Sequence, residues 1–118
     1  MRRKRRIAKI IEYIDLNYSK RISLKDLATL AGVHSSHLCR QFKEHVGRSP
    51  REYLLKVRID HAAHLLRESE KIVKEIAFAV GFRRPEAFSK AFKRALGCSP
   101  RHYRDLNNHN HIMRRRGQ

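Results

Sequence analysis

The phrase Lys-x-x-x-Gly-x-Ser-Pro-Arg-x-Tyr occurs twice in a chain of 118 residues, as "KEHVGRSPREY" at 43–53 and as "KRALGCSPRHY" at 93–103. Upstream of each copy a second pair of segments aligns, "LKDLATLAGV" on "VKEIAFAVGF", placing Lys25 on Lys74, Asp26 on Glu75, Ala28 on Ala77 and Gly32 on Gly81 at an offset of 49. After the glycine the offset becomes 50, pairing Leu38 with Phe88, Phe42 with Phe92 and Tyr53 with Tyr103, so the second turn is expected to be one residue longer. One supersecondary unit of about 50 residues is therefore written twice. Solenoids generally need three or more repeats to bury a continuous core, so two copies joined by one segment predict a bipartite domain.

Each copy reads as helices. Ile7, Ile10, Ile11 and Ile14 recur at helical spacing and predict an amphipathic first helix that ends near "DLNYSK". Ser23 and Asp26 have capping-box spacing for a short helix that stops at Gly32. "VHSSHLCRQFKEHVG" restarts at once, with Leu38, Phe42 and Val46 in steps of four and Gly47 as terminator, which makes a helix-turn-helix candidate. Ser49 and Pro50 then open the longest helix, unbroken to Glu68 and roughly 27 Å long. The expected fold is all-α: two three-helix helix-turn-helix units joined by a long central helix. Its parts are a basic arm at 1–6, a first unit at 7–49, a linking helix at 50–69, a second unit at 70–106 and a flexible basic tail at 107–118.

Charge narrows the function. Lys and Arg number 28 against 11 Asp and Glu, a net charge of +17 that points to a polyanionic partner. A merely solvated basic surface is the plainer alternative, although ordinary soluble domains mix the two signs more evenly. No run approaches the roughly 18 to 20 apolar residues of a membrane span, and "MRRKRR" leads into no signal-peptide stretch, so a cytoplasmic protein without membrane contact is expected. An apolar content of 41% supports a modest core but no large enclosed cavity.

The wheel of the second helix in each unit separates inside from outside. Leu38, Phe42 and Val46, like Phe88, Phe92 and Leu96, are expected inside. The outward stripes are then Ser36, Cys39, Arg40 and Lys43 in the first copy, and Glu86, Ser89, Lys90 and Lys93 in the second. Arg40 and Lys90 suit guanine O6 and N7, Glu86 can accept from a cytosine amino group, and small Ser36, Cys39 and Ser89 permit close approach to a groove floor. His34, Ser35, His37, Arg83 and Arg84 lie at or before the helix starts, where the positive dipole end favours phosphate, and they join Lys43 and Lys93 as positioning residues. Two such helices on one face of a duplex need centres roughly 34 Å apart, a span the linking helix and the unit widths can supply.

Other chemistries find little support. Cys39 and Cys98 lack neighbours at metal-ligand spacing and are expected as reduced thiols, and Cys39 reads as a small groove-facing residue in preference to a redox switch. The pairs His61 with His64 and His109 with His111 lack acidic or cysteine partners, so no metal is expected. With no Gly-rich phosphate loop, nucleophile elbow or convincing carboxylate pair, neither catalytic residues nor a cofactor are expected.

The segment "VKEIAFAVGFRRPEAFSKAFKRALGCSPRHYR", with "ISLKDLATLAGVHSSHLCRQFKEHVGRSPREYL" before it, resembles the AraC/XylS family of bacterial transcription regulators over about residues 7–106. The resemblance implies recognition helices at 35–45 and 85–95 that enter adjacent major grooves of double-stranded DNA, and an activator that contacts RNA polymerase. It also marks departures. Single-domain stress activators of the family carry tryptophan where this chain has Ser36 and glutamine where it has Cys39, which implies a different target sequence. Ile72 stands where the family commonly places a Ser or Thr cap, so a frayed helix start is expected there. Most members add an effector or dimerisation domain, so the chain is expected to be a monomer that acts alone or part of a longer dimeric regulator. Two other readings stay open: a basic protein that coats or bends nucleic acid without sequence preference, and a module that grips RNA polymerase first.

Overall fold

The computed structural model describes the backbone of residues 2–116 and the side chains of residues 3–108. Among them run seven helices and no strand: α1 Arg2–Asn17, α2 Leu24–Ala31, α3 Ser35–Val46, α4 Pro50–Glu68, α5 Val73–Ala79, α6 Pro85–Leu96 and α7 Pro100–Arg116. The chain forms two compact units, Met1–Val57 and Arg58–Gln118, so α4 gives its first half to one and its second half to the other.

In the first unit Ile7, Ile10 and Ile14 of α1 pack with Leu27 and Ala28 of α2, Leu38 and Phe42 of α3, and Leu54 of α4. In the second unit the second half of α4 stands where α1 stood. Its Ile59, Ala62 and Leu66 match Ile7, Ile10 and Ile14 at a constant offset of 52, and the core is completed by Ile76, Ala77, Val80, Phe88 and Phe92. The repeat therefore includes the first helix of each unit, although Ile10 and Ile14 are replaced by Ala62 and Leu66.

The duplicated phrase proves to be structural punctuation. Gly47 and Gly97 end α3 and α6 at φ 84° in both copies, and a Cβ at either would meet open space, so the left-handed backbone alone calls for glycine. Pro50 and Pro100 are first residues of the following helices. Ser49 Oγ accepts from the Glu52 N–H at 3.1 Å, and Ser99 Oγ accepts from the His102 N–H at 3.1 Å. The Tyr53 ring meets Phe42 edge-on at 5.7 Å, and the Tyr103 ring meets Phe92 at 5.3 Å. Each tyrosine hydroxyl also reaches the first helix of its own unit: Tyr53 donates to Asp15 at 2.9 Å, whereas Tyr103 accepts from Arg67 at 2.6 Å. Asp15 and Arg67 are themselves related by the offset of 52.

The caps follow the sequence at α2 and depart from it at α5. Ser23 and Asp26 close a full capping box, with Asp26 N–H donating to Ser23 Oγ at 3.0 Å and Ser23 N–H donating to Asp26 Oδ2 at 3.3 Å. At α5 only half of the box exists: Ile72 N–H donates to Glu75 Oε1 at 3.3 Å, while the Ile72 side chain has no oxygen to return the bond. The turns begin alike, with Val33 N–H to Ala28 O at 3.2 Å matched by Phe82 N–H to Ala77 O at 2.9 Å. The extra residue of the second turn lies beyond Phe82, since α3 starts three residues after Gly32 and α6 four after Gly81.

Three expectations are corrected. Residues 2–6 are no separate arm but the first turns of α1, because Arg and Lys are good helix formers and Arg6 is held by Gln41 of α3. Helicity likewise persists past Asn107 to Arg116, where a flexible basic tail without helical periodicity was expected, since neither Pro nor Gly interrupts 101–116. Leu96 is 43% exposed, because α6 ends at that residue and its last turn runs past the core that Phe88 and Phe92 fill.

Candidate nucleic-acid interface

The apolar core decides what α3 and α6 offer outward. Leu38 and Phe42 of α3, and Phe88 and Phe92 of α6, are all fully buried. Burying each pair contributes several kcal/mol, at about 1.5–3 kcal/mol per large apolar side chain, and so fixes which face of the helix stays in water.

On α3 the remaining face carries Ser36, Arg40 and Lys43, all exposed, with Cys39 partly buried between them and the core. On α6 the matching positions are Glu86, Lys90 and Lys93, exposed, with Ser89 partly buried. All eight residues of the two stripes thus fall on the two helices in equivalent places. Arginine, lysine and glutamate heads in such an arrangement can donate to guanine or accept from cytosine, and the small residues leave room for base edges.

The positioning residues fall at the helix starts. His34 is the N-cap of α3 and exposed, while Ser35 and His37 occupy its first turn and are half-buried. Arg84 is the N-cap of α6, and Arg83 before it is also exposed. Neither N-cap side chain makes a capping bond, so the positive dipole end of each helix can serve an anion. Beside the α2–α3 turn an open groove is lined by Lys25, Thr29, Gly32, His34 and Ser35, adding a lysine and a hydroxyl that were not among the expected interface residues.

The sequence also gave no sign of Gln41, which is 4% exposed and the one buried polar side chain among the described residues. Its Oε1 accepts from Arg6 Nη1 at 3.0 Å, which satisfies an amide whose burial unpaired costs about 1–3 kcal/mol. In the second unit Arg58 lies over the Phe82 ring at 5.9 Å, and burial pushes its pKa down from the ordinary arginine value. Arg104 donates to Leu66 O and Ser69 O, each at 3.1 Å, and so satisfies carbonyls at the end of α4.

Cys39 and Cys98 are free thiols. Among the described residues no three His, Cys, Asp or Glu side chains group as a metal site, and the side chains of His109 and His111 lie outside them. No described helix is long and apolar enough to cross a membrane.

Two units, each presenting a basic helix behind a short turn, define a helix-turn-helix DNA-binding domain. The helix-turn-helix domain family matches residues 27–106. The chain belongs to this family, in its AraC/XylS branch. It is 36% identical over 94 residues to a lactose operon transcription activator of Staphylococcus xylosus, covering 80% of this chain and 34% of that protein. It is 35% identical over 99 residues to the transcriptional activator RhaS of Escherichia fergusonii, covering 84% of this chain and 36% of that one. The chain thus spans about a third of the length of the curated relatives it matches. Among solved structures, the DNA-binding domain of AdpA in complex with a target DNA superposes with a TM-score of 0.85 at 29% identity, over 88% of this chain and 94% of that chain. The C-terminal domain of the response regulator AraT from Geobacillus stearothermophilus gives 0.82 at 34% identity, over 86% and 84%.

Proposed function

We propose that the chain binds double-stranded DNA sequence-specifically as a transcription activator, with α3 and α6 entering adjacent major grooves. The observation that carries this reading is the equivalence of the two outward stripes on helices whose inner faces are sealed by apolar side chains. Ser36, Cys39 and Arg40 read one block of bases, and Glu86, Ser89 and Lys90 read the other. His34, Ser35, His37, Lys43, Arg83, Arg84 and Lys93 hold the phosphates and set the register. The net charge of +17 supports the electrostatic share of binding. Relatives named as transcription activators support activation. Contact with RNA polymerase, work in the cytoplasm, and action as a monomer or as the DNA-binding part of a longer regulator complete the proposal. The departures at Ser36 and Cys39 imply an operator of its own.

Selection from random duplexes followed by footprinting tests the reading, and two short preferred blocks about 10 base pairs apart are expected. Arg40→Ala should weaken the best site by about 1–3 kcal/mol and relax preference at one base position, whereas Lys43→Ala should weaken every duplex to a similar degree. Uniform loss in both variants, together with affinity that collapses with salt on all sequences alike, would instead identify a sequence-tolerant coating protein.

A further inference from the structure

We propose that Arg6 and Gln41 form a positioning clamp for the first reading helix, so that base discrimination by Ser36, Cys39 and Arg40 depends on a residue of α1. The inference rests on the DNA-reading function proposed above.

The clamp joins two helices through adjacent turns. Arg6 Nη1 donates to Gln41 Oε1 at 3.0 Å, and Arg3 Nη1 lies 3.9 Å from Glu44 Oε2. Residues 3 and 6 are one turn apart on α1, as are 41 and 44 on α3, so the two links are successive rungs between the same helices. The inner rung dominates, because Gln41 is buried at 4% exposure while Arg3 and Glu44 are each 54% exposed and screened by solvent. Ile7, Ile10 and Ile14 bury one face of α1 and fix its roll, which makes Arg6 a stationary donor.

The second unit shows why α3 needs such a device. There the rings of Phe82, Phe88, Phe92 and Tyr103 follow one another at 5.3, 5.7 and 5.3 Å, and this file holds α6 at successive turns. In the first unit Leu38 replaces Phe88 and Val33 replaces Phe82, and the Phe42 ring meets Tyr53 at 5.7 Å. Apolar contact is non-directional and tolerates some roll, whereas a charge-assisted hydrogen bond fixes both distance and angle. Ala91 stands at the position of Gln41 in α6 and carries no side-chain acceptor, so the clamp belongs to α3. Rolling α3 by about 10° moves the tip of Arg40 by more than about 1 Å, beyond the roughly 0.5 Å within which a binding group must be held.

The test compares Arg6→Ala, Gln41→Leu, Arg6→Lys and Arg5→Ala in the full chain. Each is checked for folding by thermal unfolding, and then assayed against the selected duplex and versions changed in one block at a time. Arg6→Ala should cut discrimination at the first block by roughly fivefold or more while leaving the second block unchanged. Gln41→Leu, which removes the amide together with its need for a partner, should do the same. Arg6→Lys keeps a donor on a long stem and should restore first-block preference. Arg5→Ala removes the same charge from an exposed position on the same helix and should weaken all duplexes alike. Full first-block preference in Arg6→Ala or Gln41→Leu, equal loss at both blocks, or failure of the lysine variant to restore it would overturn the clamp. A wild-type chain with no preference among duplexes would overturn the proposed function and the clamp with it, an outcome distinct from the others.

Discussion

The two units have the same helical plan but distribute their core volume differently. In the first unit the bulk sits on the first helix, where Ile10 and Ile11 occupy positions that Ala62 and Ala63 take in the second. In the second unit the bulk sits on the turn and the reading helix, where Phe82 and Phe88 take the positions of Val33 and Leu38. Small opposes large in one unit and large opposes small in the other, so both interiors fill. The lesson is that the backbone plan constrains the sum of facing volumes more than the identity at any position.

That compensation can be broken directly. Phe88→Ala should destabilise the second unit by about 3–5 kcal/mol, since it opens a cavity at a fully buried ring, and a urea denaturation curve would measure it. Ala62→Ile alone should cost about 1–3 kcal/mol by overpacking. Combined with Phe88→Leu, which imports the arrangement of the first unit, the double variant should be more stable than the sum of the two single losses by at least about 0.5 kcal/mol. Simple additivity would mean that positions 62 and 88 do not share one volume, and the comparison would lose its basis.

The same comparison shows what could be read from the letters. Gly47, Ser49, Pro50 and Tyr53 repeat as Gly97, Ser99, Pro100 and Tyr103 because turns and caps demand particular residue types, so the α2–α4 and α5–α7 boundaries were legible. Both first helices were expected, but their correspondence was hidden because core positions accept any apolar side chain that fits, so that Ile10 stands opposite Ala62. All eight stripe residues could be placed because burial of Leu38, Phe42, Phe88 and Phe92 follows from helical periodicity alone. Gln41 and Arg104 could not, since each is a polar residue whose partner lies on another helix, and no local pattern encodes such a partner. The outer turns of α1 and α7 were misjudged because 2–6 and 107–116 hold too few apolar residues to show a helical period.

The caps of α2 and α5 are unequal in the same way. Ser23→Ala should cost about 1 kcal/mol by removing the acceptor for the Asp26 N–H. Ile72→Ser should have the opposite sign and gain about 1 kcal/mol, because Glu75 already supplies the return bond of the box. Ile72 is 58% exposed, so little packing is given up. Thermal unfolding of both variants checks the pair. No gain from the serine would show that the α5 start is held by something other than its cap.

The subtlest contrast lies within the repeated phrase, where "GRSPRE" ends in Glu52 and "GCSPRH" in His102. Glu52 Oε1 accepts from the Ser49 N–H at 2.9 Å, so the first copy closes a box that the second leaves half made. That backbone bond, followed by the Ser49 hydroxyl and the charges of Lys43 and Arg48, holds the Glu52 carboxyl below the usual carboxylate range, against a smaller opposing effect of burial. A carboxyl with a depressed pKa in the folded state stabilises fully above its unfolded value and loses that contribution as pH falls through the folded value. The α4 start should therefore be at full strength above the ordinary carboxylate range and weaken as pH falls below it. Glu52→Gln should be less stable than wild type at neutral pH, with the gap closing in acid, and urea unfolding across that range would measure it. Replacing His102 with glutamate should confer the same acid sensitivity on the start of α7. A gap for Glu52→Gln that stays constant down to about pH 3 would show that the carboxylate charge has no part in closing the box.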